Sequence, residues 1–248
     1  MKKRHVFGKM SIDVFDQDDN LITTLPAGKS KGINIVSLPI RLPPPKAAPT
    51  RNRMALFGSM TTPALNQGTY KVVVRKGKQE YTTDLTLLDD PSGGYTTAGI
   101  AKQKEISTQL YDMTNQLGHI YKNLDEVHTQ ISEMHEAGDL KDDTSKKLAE
   151  EVEKYKNSLV SLEGDFYVAE GEANIREDIS TLGLSVGQYP GMPSQGQIRK
   201  AKELAERMSK IADKASSFMS QLDTINKGLS AAGKKEISLT SLEDYLEN

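Results

Sequence analysis

The chain has 248 residues and a net charge of −2, and this length allows two domains with separate cores. It contains no cysteine, which excludes a disulfide framework and a thiolate metal site. No apolar run approaches the roughly 18 residues of a membrane-spanning helix, so the sequence predicts no membrane span.

The first stretch of the chain has the pattern of β-structure. Met10, Ile12 and Val14 alternate with polar residues, which is the period of a strand with one buried face. A polar turn at 16–20 separates this strand from a returning run at 21–25. The two runs are therefore predicted to form a hairpin.

The next stretch holds one further predicted strand and a long loop. The strand is marked by three isoleucines, Ile33, Ile35 and Ile40. Three consecutive prolines at 43–45 follow, and they remove donors that a sheet ladder would need. The chain from these prolines to Arg53 is predicted to be an irregular loop.

Two more strands complete the β-rich part. Gly68 opens a strand that places three apolar side chains on one face, namely Tyr70, Val72 and Val74. Gly77 marks a tight turn, and alternation resumes over 81–87. Short strands with turn signals at this spacing predict an antiparallel, immunoglobulin-like sandwich over residues 1–90.

A linker and a set of helices follow the strands. Residues 89–94 read Asp-Asp-Pro-Ser-Gly-Gly, which predicts a linker over 91–97. Thr96 or Thr97 caps a first long helix that ends near Ala137, a length of about 60 Å. Further helices are predicted over about 142–169, 175–182, 194–228 and 241–246, with a loop at 187–193 and Ser194 as the cap of the fourth helix.

The long helices carry apolar residues at alternating spacings of four and three. In the first helix this seam consists of Ile106, Leu110, Met113, Leu117, Ile120, Leu124, Val127, Ile131 and Met134. Similar seams run from Leu148 to Ala169 and from Ala201 to Leu229. Each seam must be buried against a partner, so residues 98–248 are predicted to form an antiparallel bundle of three to four helices with a short C-terminal helix. The predicted fold class is therefore α+β with two domains.

Several residue groups resemble catalytic or metal-binding sites and are better explained as structure. Asp16, Asp18 and Asn20 have calcium-loop spacing, but the required glycine and the final glutamate are replaced by Leu21 and Ala27, so a hairpin turn is expected. No two of the four histidines, His5, His119, His128 and His135, have the spacing of a helical zinc site. The acidic run Glu150, Glu151 and Glu153 alternates with lysines, as on a solvated helix face. No catalytic, cofactor-binding or metal-binding residue is predicted, and no cofactor is expected.

The charge is distributed unevenly along the chain. Residues 1–88 carry 14 Lys and Arg against 6 Asp and Glu, whereas residues 89–248 carry 18 against 28. The basic half has no nucleic-acid motif, so docking of basic residues on an acidic surface, of this chain or of a neighbour, is favoured over nucleic-acid binding. The N-terminus begins Met-Lys-Lys-Arg but lacks the apolar core and the cleavage site of a signal peptide.

Two stretches together resemble a known family. They are 2–34, with Lys-Lys-Arg-His-Val-Phe-Gly at its start and Ala-Gly-Lys-Ser-Lys-Gly-Ile-Asn at its end, and 68–87, which opens with Gly-Thr-Tyr-Lys-Val. Their order resembles the C-terminal region of bacterial sortilin-like proteins with BNR-repeat β-propellers, which are described as glycosyl hydrolases. In that family a propeller precedes a fibronectin-like sandwich and a helical bundle.

The resemblance implies an accessory role. The chain has no tryptophan and no Asp-box, so no propeller blade and no catalytic residue of the family is carried over. The chain is interpreted as a fragment or a separately encoded tail of such a protein, periplasmic or secreted in the parent, with strand-forming residues at 2–7. The expected function is a non-catalytic module that scaffolds the adjoining propeller or binds another protein.

Two alternatives stay open at this point. One is an independent protein-binding module that acts through the helical bundle, and dimerisation through the seams favours it. The other is a glycoside hydrolase in its own right, with two carboxylates meeting in a pocket at the domain junction. The sequence fixes no oligomeric state.

Overall fold

A computed structural model describes residues 10–28, 32–59, 62–162 and 174–247. Over these ranges the fold is α+β, with a four-stranded antiparallel sheet and several helices. The chain divides into two compact units. The sheet unit comprises Met1–Pro43 and Pro63–Thr96, and the helical unit comprises Pro44–Thr62 and Thr97–Asn248. The predicted strand-forming residues 2–7 lie outside the described residues.

The sheet is built from two hairpins. Its strands are β1 (Met10–Phe15), β2 (Leu21–Pro26), β3 (Gly68–Lys76) and β4 (Gln79–Leu87), in the order β2-β1-β3-β4. All neighbouring strands are antiparallel, and Val14 lies opposite Thr23 on one side and Val72 on the other. The predicted hairpin at 10–25 and the predicted pair at 68–87 are confirmed, including the turn at Gly77, where φ is 60°.

The core of the sheet unit is small. Among the described residues its buried apolar cluster consists of Val14, Leu65 and Tyr70, and Val73 is buried as well. Six partly buried side chains pack against this cluster, namely Ile22, Leu38, Leu42, Val72, Leu85 and Leu87. Strand β4 is exposed along most of its length, and Tyr81 keeps 57% of its surface in solvent.

The predicted strand at Ile33, Ile35 and Ile40 is wrong. The described residues from 32 to 40 carry no strand, and the first bridge that follows them joins Arg41 to Ala64. Pro39 lacks an N–H group, so this stretch cannot complete a regular ladder.

Six α-helices are present in the described part of the chain. They are α1 (Arg53–Ser59), α2 (Thr97–Glu136), α3 (Asp143–Asn157), α4 (Ile175–Gly187), α5 (Gln195–Ala231) and α6 (Leu242–Glu247). The start of α3 at the Asp142 cap and the start of α5 at Ser194 are confirmed, and Ser194 forms a capping box with Gln197. Helix α2 ends at Glu136, close to the predicted end at Ala137, and Gly138 follows it with φ 78°, a conformation that terminates a helix.

Three helix predictions need correction. Helix α1 was not predicted, because the prolines before it indicated a loop. Helix α3 ends at Asn157 rather than near residue 169, and Leu159 and Val160 turn into the core beyond its end. Helix α4 continues to Gly187 instead of ending at residue 182. The seam positions Phe166 and Ala169 lie outside the described residues.

The apolar seams are buried, as their spacing required. In α2, Leu124, Val127 and Ile131 have no exposed surface, and in α5 Leu204 is equally enclosed. These residues belong to one cluster that also includes apolar residues of α3 and α4. Burial of such a side chain stabilises the fold by about 1.5–3 kcal/mol.

Residues 44–53 pack on the helices through their backbone. Asn115 Oδ1 accepts a hydrogen bond from the Lys46 backbone N–H at 2.8 Å, and the Tyr245 hydroxyl donates to the Lys46 carbonyl at 2.9 Å. Gly118 of α2 permits this approach, because a Cβ atom there would collide with the Lys46 carbonyl oxygen and the Tyr245 hydroxyl. The close approach of residue 46 to α2 therefore explains why position 118, inside a long helix, is a glycine.

Two buried charged residues of α4, Arg176 and Glu177, form hydrogen bonds with residues 48 and 50 of the same 44–53 segment. Arg176, 3% exposed, donates from Nε to the Ala48 carbonyl at 3.0 Å and from Nη1 to Ser180 Oγ at 3.0 Å. Glu177, 2% exposed, accepts from Thr50 Oγ1 at 2.7 Å and from the Ser161 backbone N–H at 3.3 Å. Burial lowers the pKa of Arg176 from its ordinary value, and the adjacent Glu177 opposes this change.

Candidate interaction surface

The two most exposed large apolar side chains of the described residues lie in residues 32–40, called here the isoleucine segment. Ile33 is 93% exposed and Ile35 is 91% exposed, and Ile40 is 59% exposed. An isolated exposed apolar residue is ordinary on a protein surface, but two almost fully exposed isoleucines two positions apart form a patch that a partner would bury.

The isoleucine segment is fixed to the sheet unit at both ends. Near its start, the Asn34 side chain lies against Gly28, at a distance that leaves no room for a Cβ atom on that glycine. Asn34 Nδ2 also donates to the Gly32 carbonyl at 3.1 Å. Near its end, Leu38 packs against the cluster of Val14, Leu65 and Tyr70. The two isoleucines therefore flank anchored residues and do not belong to a free tail.

The backbone of the segment has unused hydrogen-bonding capacity. In the described ranges, no hydrogen bond involves the backbone groups of Ile35, Val36, Ser37 or Leu38. Regular pairing resumes at Ile40, whose carbonyl accepts from the Leu65 N–H at 3.0 Å. Exposed backbone donors and acceptors next to apolar side chains are the features that strand addition by a partner uses.

The residues with calcium-loop spacing form the β1–β2 turn, as expected. Asp16 Oδ1 accepts from the backbone N–H groups of Asp18 and Asn20 at 2.9 and 2.8 Å. Asn20 Nδ2 donates to Asp16 Oδ2 at 3.1 Å. These hydrogen bonds, that of the Asn20 side chain first, hold the pKa of Asp16 below its usual value. The Asp16 carboxylate oxygens that a cation would need are thus used by hydrogen bonds within the turn.

Two of the histidines line a groove between α2 and α3 with a volume of about 390 Å³. His128 donates from Nδ1 to the Ala149 carbonyl at 3.2 Å, and His135 Nε2 lies 2.8 Å from Ser145 Oγ. The groove is also lined by Ile131, Ser132, Glu136, Lys146, Ala149 and Glu150. The two histidines are half-buried, and each is hydrogen-bonded to a residue of α3.

The trio of His135, Ser145 and Asp142 does not have the arrangement of a nucleophilic triad. Ser145 is fully buried, and its hydroxyl lies 2.8 Å from Asp142 Oδ2 and 3.0 Å from the Asp142 carbonyl. The hydroxyl proton therefore goes to Asp142, and His135 donates to Ser145 instead of removing its proton. Asp142 is the N-cap residue of α3, and Ser145 and His135 belong to the hydrogen-bond network around this cap.

His119 takes part in a different contact, on the other side of α2. Its Nε2 lies 2.8 Å from the Thr240 carbonyl, and its ring lies 5.6 Å from the ring of Tyr245. His5 lies outside the described residues. Across the ranges that the structure covers, no group of three or more His, Asp or Glu side chains is placed to hold a metal ion.

The chain matches no protein-family model, no curated protein and no solved structure. None of the helices in the described ranges combines the length and the apolar character needed to cross a bilayer.

The sequence identified the isoleucines but assigned them to a strand of this chain's own sheet. Alternating apolar residues have the same pattern whether a strand is paired within the chain or is left to pair with a partner. Pro39 was the available signal against internal pairing, since proline is confined to sheet edges and irregular segments.

Proposed function

We propose that the protein is a non-catalytic interaction module whose sheet unit binds a protein partner through the isoleucine segment. The observation that carries this proposal is the exposure of Ile33 and Ile35 beside a backbone without internal pairing. In this proposal the sheet is one half of an immunoglobulin-like sandwich, and a strand of the partner supplies pairing for residues 35–38. The helices form the antiparallel bundle that the seams predict, and this bundle serves as a scaffold.

The proposed partner is the propeller of a sortilin-like BNR-repeat protein, in a periplasmic or secreted setting. This choice rests on the resemblance of residues 2–34 and 68–87 alone. A β-propeller presents short edge strands at its blades, and such edges are suited to pairing with an extended apolar segment.

The test is a titration of the full chain with an isolated sortilin-like propeller from the same genome. The double variant Ile33→Ser/Ile35→Ser should weaken binding at least tenfold, because two large apolar side chains leave the interface. The control is Leu56→Ser/Phe57→Ser, which removes two apolar side chains of α1 that are 54% and 59% exposed. Equal binding by the parent chain and the isoleucine variant would overturn the isoleucine segment as the contact.

If the parent chain ignores the propeller and dimerises through its helices, the independent-module alternative replaces the accessory role. Light scattering of the parent chain, alone and with the propeller, separates these outcomes. A dimer that survives Ile33→Ser/Ile35→Ser would place the contact away from the isoleucine segment.

A glycoside hydrolase is the second candidate function, and one observation favours it. Glu136 and Glu150 line the same α2–α3 groove, and a pair of carboxyl groups is the usual equipment for glycoside hydrolysis. The test is hydrolysis of a panel of nitrophenyl glycosides, compared with Glu136→Gln and Glu150→Gln. Hydrolysis that either variant abolishes would establish this function and overturn the non-catalytic proposal.

A further inference from the structure

The C-terminal segment occupies a groove formed by α2 and α5, called here the tail groove. Four side chains of these helices bind the segment, namely His119, Glu126 and Gln130 of α2 and Asn226 of α5. The bound residues are Ile237 to Thr240, which precede α6 and carry no regular secondary structure.

Two amide side chains take the place of a neighbouring strand. Asn226 accepts from the Ile237 N–H at 2.9 Å and donates to the Ile237 carbonyl at 3.0 Å. Gln130 accepts from the Ser238 N–H at 3.2 Å and donates to the Ser238 carbonyl at 2.8 Å. Both backbone groups of two successive residues are therefore satisfied by the groove, as they would be in a sheet.

Two positions of the segment are recognised by their side chains. Ile237 is 4% exposed and belongs to the main apolar cluster of the helical unit. Thr240 donates from its hydroxyl to Glu126 at 2.7 Å and from its N–H to the same carboxylate at 2.9 Å, and its carbonyl lies 2.8 Å from His119 Nε2. Because a carbonyl only accepts, His119 is the donor of that hydrogen bond. The tail groove therefore selects an apolar residue followed, three positions later, by threonine.

The connection between α5 and the segment is short and exposed. Gly233 follows the end of α5 with φ 66°, and its N–H donates to the Ser230 carbonyl at 3.0 Å. A side chain at this φ is strained, although the space around the glycine is open. Beyond this turn, one ion pair between Lys234 and Asp139, at 3.3 Å, precedes the groove contacts. The direction of residues 234–247, called here the arm, thus depends on Gly233.

We propose that the tail groove also accepts the C-terminal segment of a second copy of this chain, so that two copies exchange residues 234–247. The occupant follows from the contacts, because the Ile-Ser-Leu-Thr segment of another copy makes the same hydrogen bonds and buries the same isoleucine. Exchange needs no new surface, and hinge strain is the known route to such dimers. This inference is independent of the isoleucine segment and of its partner.

The closed monomer is favoured at ordinary concentrations. A short connection gives the arm a millimolar effective concentration for its own groove, so a second copy competes only when the turn is strained or the protein is concentrated. Straining Gly233 is therefore the most direct way to reveal the exchange.

The experiment is Gly233→Val in the full chain, measured by size-exclusion chromatography with light scattering at about 50 μM. The dimer fraction should rise at least tenfold over the parent chain, because valine disfavours the left-handed backbone conformation of residue 233 and strains the turn that leads residues 234–247 to their own groove. Gly228→Ala is the matched control, since it also removes a glycine from the end of α5 and has open space around it. It should behave as the parent chain.

A second variant tests whether the dimer uses the tail groove. Adding Gln130→Ala/Asn226→Ala to Gly233→Val removes the backbone contacts and should reduce the dimer at least tenfold. A monomeric Gly233→Val chain, or a dimer that persists after the groove substitutions, would overturn the proposal.

If Gly233→Val does not fold, complementary chains decide the question. One chain carries Ile237→Asp and keeps its groove intact, and the other carries Asn226→Ala and keeps its arm intact. The proposal expects a 1:1 complex of these two chains that neither chain forms alone, and absence of this complex would overturn it.

Discussion

The helical unit and the sheet unit differ in how completely they bury their own apolar residues. The helical unit joins side chains of α2 to α5 in a continuous core, and its longest seams have almost no exposed members. Among its described residues, the sheet unit buries four large apolar side chains, Val14, Leu65, Tyr70 and Val73, and leaves two isoleucines almost entirely in solvent. A large closed core makes a unit stable by itself, whereas a small core beside exposed apolar residues is typical of a unit that binds something.

The largest expected effect comes from opening a cavity in the helical core. Leu124→Ala removes a side chain with no exposed surface and should lower the free energy of unfolding by about 2–5 kcal/mol. Urea unfolding followed by circular dichroism at 222 nm measures this loss. Val14→Ala is the counterpart in the sheet unit and should leave the helical signal almost unchanged. A loss below about 1 kcal/mol for Leu124→Ala would contradict the contrast between the two cores.

A smaller effect is expected where residues 44–53 dock on α2. Gly118→Ala places a methyl group against the Lys46 carbonyl and the Tyr245 hydroxyl, which should cost about 1–3 kcal/mol. The helix propensity of alanine returns up to about 1 kcal/mol. We expect a net loss in thermal unfolding, together with faster proteolysis of residues 44–53.

The control for this prediction is another helical glycine. Gly228→Ala has no atom within reach of the new methyl group and should raise stability by up to about 1 kcal/mol. If both alanine variants were more stable than the parent chain, the close approach at Gly118 would not limit the stability of the fold.

The N-cap of α3 should give a moderate, pH-dependent effect. Hydrogen bonds from Ser145, that of its backbone N–H first, hold the pKa of Asp142 below its ordinary value of 3.8. A carboxylate with a lowered pKa contributes stability above its unfolded pKa, and this contribution is lost as the pH falls through the lowered value. The parent chain should therefore lose its advantage over Asp142→Asn between about pH 4 and pH 2, a difference of about 0.3–1 kcal/mol from the interaction of the carboxylate with the helix N-terminus.

Asp143→Asn, one position further along, is the matched control for the cap. It alters a carboxylate that does not cap the helix, so its stability difference from the parent should depend less on pH. Thermal melts at pH 2, 4 and 6 measure both differences. Equal pH dependence in the two variants would contradict the role of Asp142.

The smallest effect on stability is expected at the isoleucine segment. Ile33→Ser/Ile35→Ser alters side chains that bury almost nothing, so unfolding should change by less than about 0.5 kcal/mol per substitution. Chemical unfolding of the sheet unit, followed by the fluorescence of Tyr70 and Tyr81, measures the change. A large loss of stability would mean that the isoleucines support the fold, and it would remove the contrast from which their proposed role follows.

Periodic features of the sequence were the ones that predicted structure. The seams from Ile106 to Met134 and from Ala201 to Leu229 correspond to α2 and α5, because many residues repeat the same signal. The start of α3 near residue 142 and the cap Ser194 were also predicted, since side-chain capping is a local property.

Features that depend on distant contacts were not predicted. The packing of residues 44–53 on α2 and α4 rests on a few hydrogen bonds between residues far apart in the chain, and no local pattern encodes them. The early end of α3 depends on Leu159 and Val160 turning into the core, which the unbroken apolar spacing concealed. The tail groove has no signal of its own, because amides on two separate helices meet only after folding.

The link between Lys46 and Tyr245 has a consequence for how the protein is made. The two residues are 199 positions apart, so at about 5–20 residues per second the ribosome takes about 10–40 s to complete the pair. During that interval residues 44–53 lack part of the surface on which they pack, because Tyr245 and, for most of the time, Arg176 have not yet been synthesised. We therefore expect nascent chains that end before α4 to be cleaved by proteases at 44–53, and chains in which α4 and Tyr245 have left the ribosome to be resistant there.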